Sequence, residues 1–166
     1  MKRVLVAGIG NIFNRDDAFG VEVAQRLSQV ELPEGVTVRD FGIRGFDLVL
    51  ALLDGYDLTI LIDVVSRGGA PGTLYAIEPE LDAIVPGEES AIENGHGLDP
   101  VKVLAMAKSL GAPLGRVVVL GCEPQDLAGD TGEIGLTAAV QAAIDGALEM
   151  VRSLVGEFNT RKEYVQ

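Results

Sequence analysis

Cysteine is nearly absent from this chain. Cys122 is the only one, so no internal disulfide can form, and such sparing use suits a reducing compartment; the cytoplasm is the expected location. Long apolar runs are missing too: none reaches the 18 or so residues of a membrane span, so no membrane partner is expected. Basic residues are scarce, with 13 Lys and Arg against 25 Asp and Glu and a formal net charge of -12. Nucleic-acid surfaces need clustered Lys and Arg, so nucleic acid is not an expected partner, whereas a basic protein or peptide suits the charge. There is one histidine, His96. With no HExxH helix and no Ser-His-Asp or Cys-His pattern, no protein nucleophile is evident. Internal repeats and low-complexity segments are absent. The opening Met1-Lys2-Arg3 is like the start of a signal peptide, but Gly8, Gly10 and Asn11 break the apolar stretch behind it, which reads as a first strand rather than an export signal.

What is present is globular: 48% hydrophobic and 23% charged residues over 166 positions. That length suits one domain burying roughly 70% of its unfolded surface. A single domain over 1–155 and a polar, frayed tail over 156–166 are expected. Strand-type apolar runs alternate with segments of helical period, the pattern of an α/β domain with a mainly parallel sheet. Strands are expected at Arg3–Ala7, Val36–Asp40, Leu58–Asp63, Thr73–Ile77 and Arg116–Gly121. Helices are expected from near Asp17 to Gln29, over Phe46–Leu53, from Pro100 behind an Asp99 cap to Gly111, and from a Thr137 cap to about Val155. Pro79–Gly97 is the longest irregular stretch, and a loop of that length is usually functional.

Ligands of open parallel sheets sit at the carboxyl ends of the strands, and the acidic residues gather there. Asp16 and Asp17 follow the first strand, Asp40 ends the second, and Asp63 ends the third. His96, in a glycine-rich turn before a helix, is placed to fold over the same edge. Carboxylates with one imidazole are oxygen and nitrogen ligands for a divalent transition metal. Each residue also has a plainer role: Asp16 and Asp17 as helix caps, His96 as an exposed loop residue, Cys122 as a small buried hydrophobe, Arg44 as a solvated arginine. The turn Gly8-Ile9-Gly10 with Asp40 downstream has the outline of a dinucleotide site. Phe13 stands where the third glycine belongs, however, and Asp16 and Asp17 would face the pyrophosphate; two like charges ~4 Å apart repel by about 4 kcal/mol at an effective dielectric of 20.

The string GIGNIFNRDDAFG from Gly8 to Gly20 closely resembles the opening motif of the hydrogenase maturation proteases, which process the large subunit of nickel-iron hydrogenases. DFGIRG from Asp40 to Gly45, LIDVV around Asp63, GHGLDP around His96, and GCEP followed by GEIGLT through Thr137 fall in the family's order and spacing. The resemblance implies a three-layer α/β/α sandwich and removal of a C-terminal extension from the large-subunit precursor after nickel insertion, with the nickel recognised and carried by the substrate. It implies Asp17, Asp63 and His96 as the metal-contacting and catalytic residues, and Asp40, Gly42 and Arg44 as a substrate-binding segment. The family often has Glu where this chain has Asp17, and a Thr-containing version of the Ile43-Arg44 pair. Metal sensing and metal catalysis both fit three ligands with open coordination positions, and Asp16 is a candidate base in the second case. A non-cleaving chaperone of the precursor and a small-molecule metallohydrolase are the alternative functions.

Overall fold

The computed structural model describes residues 1–86 and 99–161. Five strands, β1 (Val4–Ile9), β2 (Val36–Gly42), β3 (Tyr56–Val64), β4 (Leu74–Ile77) and β5 (Leu114–Cys122), form one sheet in the order β2-β1-β3-β5-β4. The first four in that order run parallel, with Val4 opposite both Val36 and Leu58 and Ile60 opposite Val118. The short β4 closes one edge antiparallel to β5. Among the described residues four α-helices, α1 (Phe19–Leu27), α2 (Gly45–Leu53), α3 (Pro100–Ser109) and α4 (Ala138–Thr160), complete the expected α/β/α sandwich.

The two-residue period of a strand divides the core. Val4 and Val6 of β1, Leu58, Ile60 and Ile62 of β3, and Val118, Leu120 and Cys122 of β5 pack with α1 and α4. Leu5, Ala7 and Ile9, Leu61, and Val117 and Val119 pack on the other face with α2 and α3. Central strands covered on both sides must be apolar on both sides, which is why β1 and β3 read as continuous hydrophobic runs.

The first and last helices differ from expectation in their bounds. The first α-helix begins at Phe19, not near Asp17; Arg15–Ala18, with both acids, form a separate 3-10 turn before it. The last helix runs past Val155 to Thr160. Lys2 explains the extra turn: its Nζ donates to the Phe158 carbonyl at 2.9 Å and the Arg161 carbonyl at 2.8 Å, placing a cation on the negative end of the helix. Thr137 does occupy the N-cap position of α4, but its hydroxyl makes no bond to the helix. It is turned instead to Asp16, as described below. Asp99 caps α3 as expected, accepting the Val101 N–H at 2.9 Å with Pro100 at the first position.

Candidate functional site

Asp17 is positioned by the glycine turn that ends β1. Gly10 has φ 146°, and a Cβ there would lie 1.8 Å from the Asp17 carbonyl oxygen, so only glycine lets the turn close. At the start of α1 a Cβ on Gly20 would stand 2.1 Å from the Ile62 carbonyl oxygen. The helix therefore lies hard against the end of β3, and the turn before it carries Asp17 to the strand that bears Asp63. The Asn11 N–H donates to Asp17 Oδ2 at 3.0 Å. A group that such turns elsewhere offer to phosphate here holds a carboxylate, in keeping with the missing third glycine.

Asp16 has a different task from its neighbour. It is fully buried. Its Oδ2 accepts the N–H groups of Gln125 at 2.8 Å and Asp126 at 2.9 Å, and its Oδ1 accepts the Thr137 N–H at 2.7 Å and the Thr137 hydroxyl at 2.9 Å. Burial pushes its pKa up, but the N–H groups of Asp126, Thr137 and Gln125 and the Thr137 hydroxyl outweigh burial and hold it below the ordinary carboxylate value. A buried carboxylate so fully hydrogen-bonded is a staple between the β1–α1 loop and the β5–α4 loop, not a base that meets substrate. The expectation of Asp16 as a base is therefore corrected. So is helix capping, because neither Asp16 nor Asp17 bonds the first turn of α1. Around the staple the backbones zip together: the Arg15 N–H donates to the Glu133 carbonyl at 2.7 Å and the Glu133 N–H to the Phe13 carbonyl at 2.8 Å. Arg15, at φ 53°, also bonds Glu133 Oε1 at 2.9 Å and stands 3.6 Å from Asp126 Oδ2.

Asp63 follows Leu61 on the face of β3 turned toward α2 and α3, and only 6% of it is exposed. Its Oδ1 accepts the Val64 N–H at 2.8 Å. Together with Asp17 and Asp99 it lines a cavity of about 430 Å³, walled also by Val65, Ser66 and Val101. Burial drives the Asp63 pKa well above the usual carboxylate range; the Asp17 charge adds to this, the Val64 N–H opposes it, and the Asp99 charge pushes further the same way. Asp17 is raised too, by burial, against the Asn11 hydrogen bond. None of the ion pairs formed among the described residues reaches either group. The donor set is short of positive charge, and a cation between the carboxylates would relieve the burial and repulsion that raise both.

The structure thus brings Asp17 and Asp63 to one cavity, while His96 lies outside the described residues. Among the described residues no three His, Cys, Asp or Glu side chains gather as a metal-holding group. Asp40, Gly42 and Arg44 sit at the end of β2, outside the lining of that cavity. Arg44 is turned onto its own loop, donating to the Asp40 carbonyl at 2.5 Å and the Phe41 carbonyl at 3.2 Å. Cys122 is on the opposite face of the sheet from Asp63, packed with α1 and α4, and burial pushes its thiol up to about 12, with the Asp16 and Glu123 charges adding. It is the small buried hydrophobe of the plainer reading.

Two contributors escaped the sequence reading. Asp99 reads as a helix cap, and nothing in its spacing announces that the capping carboxylate also lines the cavity. Glu123 stands in the GCEP string, but its work is visible only in three dimensions: it accepts the Arg67 N–H at 2.8 Å, the Gly68 N–H at 3.2 Å and the Tyr75 hydroxyl at 2.8 Å, folding in the loop that carries Ser66.

Comparison with known proteins agrees with this geometry. The model of the hydrogenase maturation protease family matches residues 21–154. The hydrogenase 2 maturation protease of Escherichia coli (strain K12) is 33% identical over 156 residues, covering 93% of this chain and 92% of that protein. The crystal structure of hydrogenase 2 maturation peptidase from Thaumarchaeota archaeon SCGC_AB-539-E09 superposes with a TM-score of 0.70 at 34% identity, covering 93% of this chain and 99% of that one. For the hydrogenase maturating endopeptidase HybD from Escherichia coli the TM-score is 0.73 at 30% identity, with 93% of each chain covered. The match of the family model across most of the chain, with relatives aligned nearly end to end, places this protein in the hydrogenase maturation protease family.

Proposed function

We propose that this protease removes the C-terminal extension of a nickel-iron hydrogenase large-subunit precursor once nickel has been inserted, and that the nickel arrives as part of the substrate. Asp17, Asp63 and His96 contact the ion. The observation that carries this reading is the shared cavity of Asp17 and Asp63, two carboxylates whose charged forms burial disfavours. His96 stands three positions before Asp99 in the sequence.

Coupling cleavage to metal loading follows from that charge balance. A nickel-free precursor offers nothing to offset two crowded carboxylates, whereas a loaded one supplies the missing positive charge and docks the adjoining chain in register. Asp40, Gly42 and Arg44 read the precursor beside β2, away from the ion. The enzyme works in the cytoplasm; no helix among the described residues is long and apolar enough to cross a membrane.

The test is incubation with nickel-loaded and nickel-free large-subunit precursor, followed by electrophoresis. A shortened product from the loaded form alone is expected. Equal cleavage of both forms overturns nickel recognition, and tight binding of loaded precursor with no shortened product identifies a holding chaperone instead.

A further inference from the structure

The acidic cavity has an apolar border. Isolated exposed hydrophobics need no explanation, but several here lie on two loops bonded to each other. Ile12 is 44% exposed, Phe13 58%, Leu127 41% and Ile134 74%. The backbone pairing of Phe13 and Arg15 with Glu133 ties the loop that bears Phe13 to the loop that bears Ile134. Arg15 reaches both Asp126 and Glu133, so Leu127 and Ile134, each one residue further on, are drawn to the same clamp. Leu127 also lines the cavity with Asp17 and Asp63, which makes the border continuous with the acidic site. The Gly10 N–H donates to the Gly42 carbonyl at 3.0 Å, which ties the β1–α1 turn to the end of β2 just before exposed Ile43.

Two features show that this surface is built rather than incidental. The buried Asp16 staple fixes both loops from below, so the apolar side chains stand on a rigid base and little ordering is needed on contact. Arg15 of the clamp is engaged with Asp126 and Glu133, leaving the carboxylates inside the cavity without a basic neighbour from this loop pair. The complement of such a surface is a chain segment with a positive centre and uncharged, apolar flanks.

We infer that the clamped loops bearing Ile12, Phe13, Leu127 and Ile134 are the docking face for the precursor, packing the apolar residues that flank its metal-bearing segment while the ion enters the Asp17–Asp63 cavity. The partner's identity rests on the endopeptidase reading; the surface does not. Equilibrium binding of nickel-loaded large-subunit precursor with its extension intact is to be measured by surface plasmon resonance, with cleavage by the unmodified enzyme recorded separately. Phe13→Glu with Ile134→Glu is expected to weaken binding at least tenfold. Phe13→Ala with Ile134→Ala, which adds no charge, is expected to weaken it severalfold at unchanged melting temperature. Leu110→Glu, at an exposed apolar site at the far end of α3, is expected to bind like the parent. Unweakened binding by the alanine pair or an equal loss in Leu110→Glu overturns the docking face, and no binding by the parent protein overturns both the docking face and the endopeptidase reading. Absence of cleavage with these binding differences intact overturns only the endopeptidase reading.

Discussion

Two sets of carboxylates occupy the same end of the sheet, and both are largely out of water. Asp16 and Glu123 are met by N–H and O–H donors on every side, and their acidity is strengthened: for Asp16 the donors outweigh burial, and for Glu123 the Arg67 N–H leads, with Tyr75 and the neighbouring glycines helping against burial. Among the described residues Asp17 and Asp63 receive one backbone N–H each, from Asn11 and Val64, and their acidity is weakened. Burial is therefore not what separates a structural acid from a site acid. The supply of donors is, because a carboxylate answered by the fold has nothing left to offer a ligand, while one left short is held ready for a cation at a cost to the fold.

The largest effect should come from breaking the first set. Asp16→Ala strips the partners from three backbone N–H groups and a hydroxyl, and loss of hydrogen bonds to a buried charge should cost on the order of 3 kcal/mol or more. In a chain of this size that lowers the melting temperature by about 10 °C, measurable by calorimetry. Because Asp16 is more acidic folded than unfolded, its contribution is complete above the unfolded value of 3.8 and disappears as pH falls through the lower folded value. Acid unfolding should accordingly be less steep in the variant. A melting temperature unchanged by Asp16→Ala would erase the distinction drawn between the two sets.

The second set should respond in the opposite sense. Asp63→Asn is expected to reduce processing about a hundredfold or more, the scale on which a single preorganised charge acts, and at neutral pH to make the protein more stable than its parent. The folded pKa of Asp63 is raised, so its folded state favours the proton. Stability is lost as pH climbs from 3.8 through the folded value, and the asparagine variant escapes that loss. Urea denaturation at pH 7 and at pH 4 checks this, with the advantage shrinking at the acid end. A variant that is both inactive and destabilised at neutral pH would make Asp63 another staple.

The smallest effect belongs to the residue on the other face of the sheet. Cys122→Ala removes one buried sulfur and should cost about 1 kcal/mol. Processing should be unchanged, and thiol alkylation of the folded parent should be slow, because the thiolate is scarcely populated at neutral pH. Loss of processing in this variant would bring the cysteine into the chemistry and break the contrast at its simplest point.

Much of this arrangement was legible before folding. Continuous apolar runs at β1, β3 and β5 and helical periods between them predicted the layered sheet, since strands covered on both faces have no polar alternative. The gathering of Asp16, Asp17 and Asp63 at strand ends followed from topology alone. Their division of labour did not. Asp16 and Asp17 are adjacent and chemically identical, and only the β5–α4 loop, more than a hundred residues downstream, decides that one is saturated and the other free to face a cavity. Thr137 is a similar case: its place at the start of α4 was readable, whereas the direction of its hydroxyl depended on where Asp16 came to rest.

What the chain by itself determined was the class of fold, the family, and the edge of the sheet where chemistry would collect, because hydrophobic period, glycine placement and motif order are local properties that survive in one dimension. What only the tertiary structure decided was which acids are held by the fold and which face a ligand, and which exposed side chains stand together. Both depend on donors and neighbours supplied by segments remote in sequence, and the energy of a buried charge is set by that company rather than by its own identity.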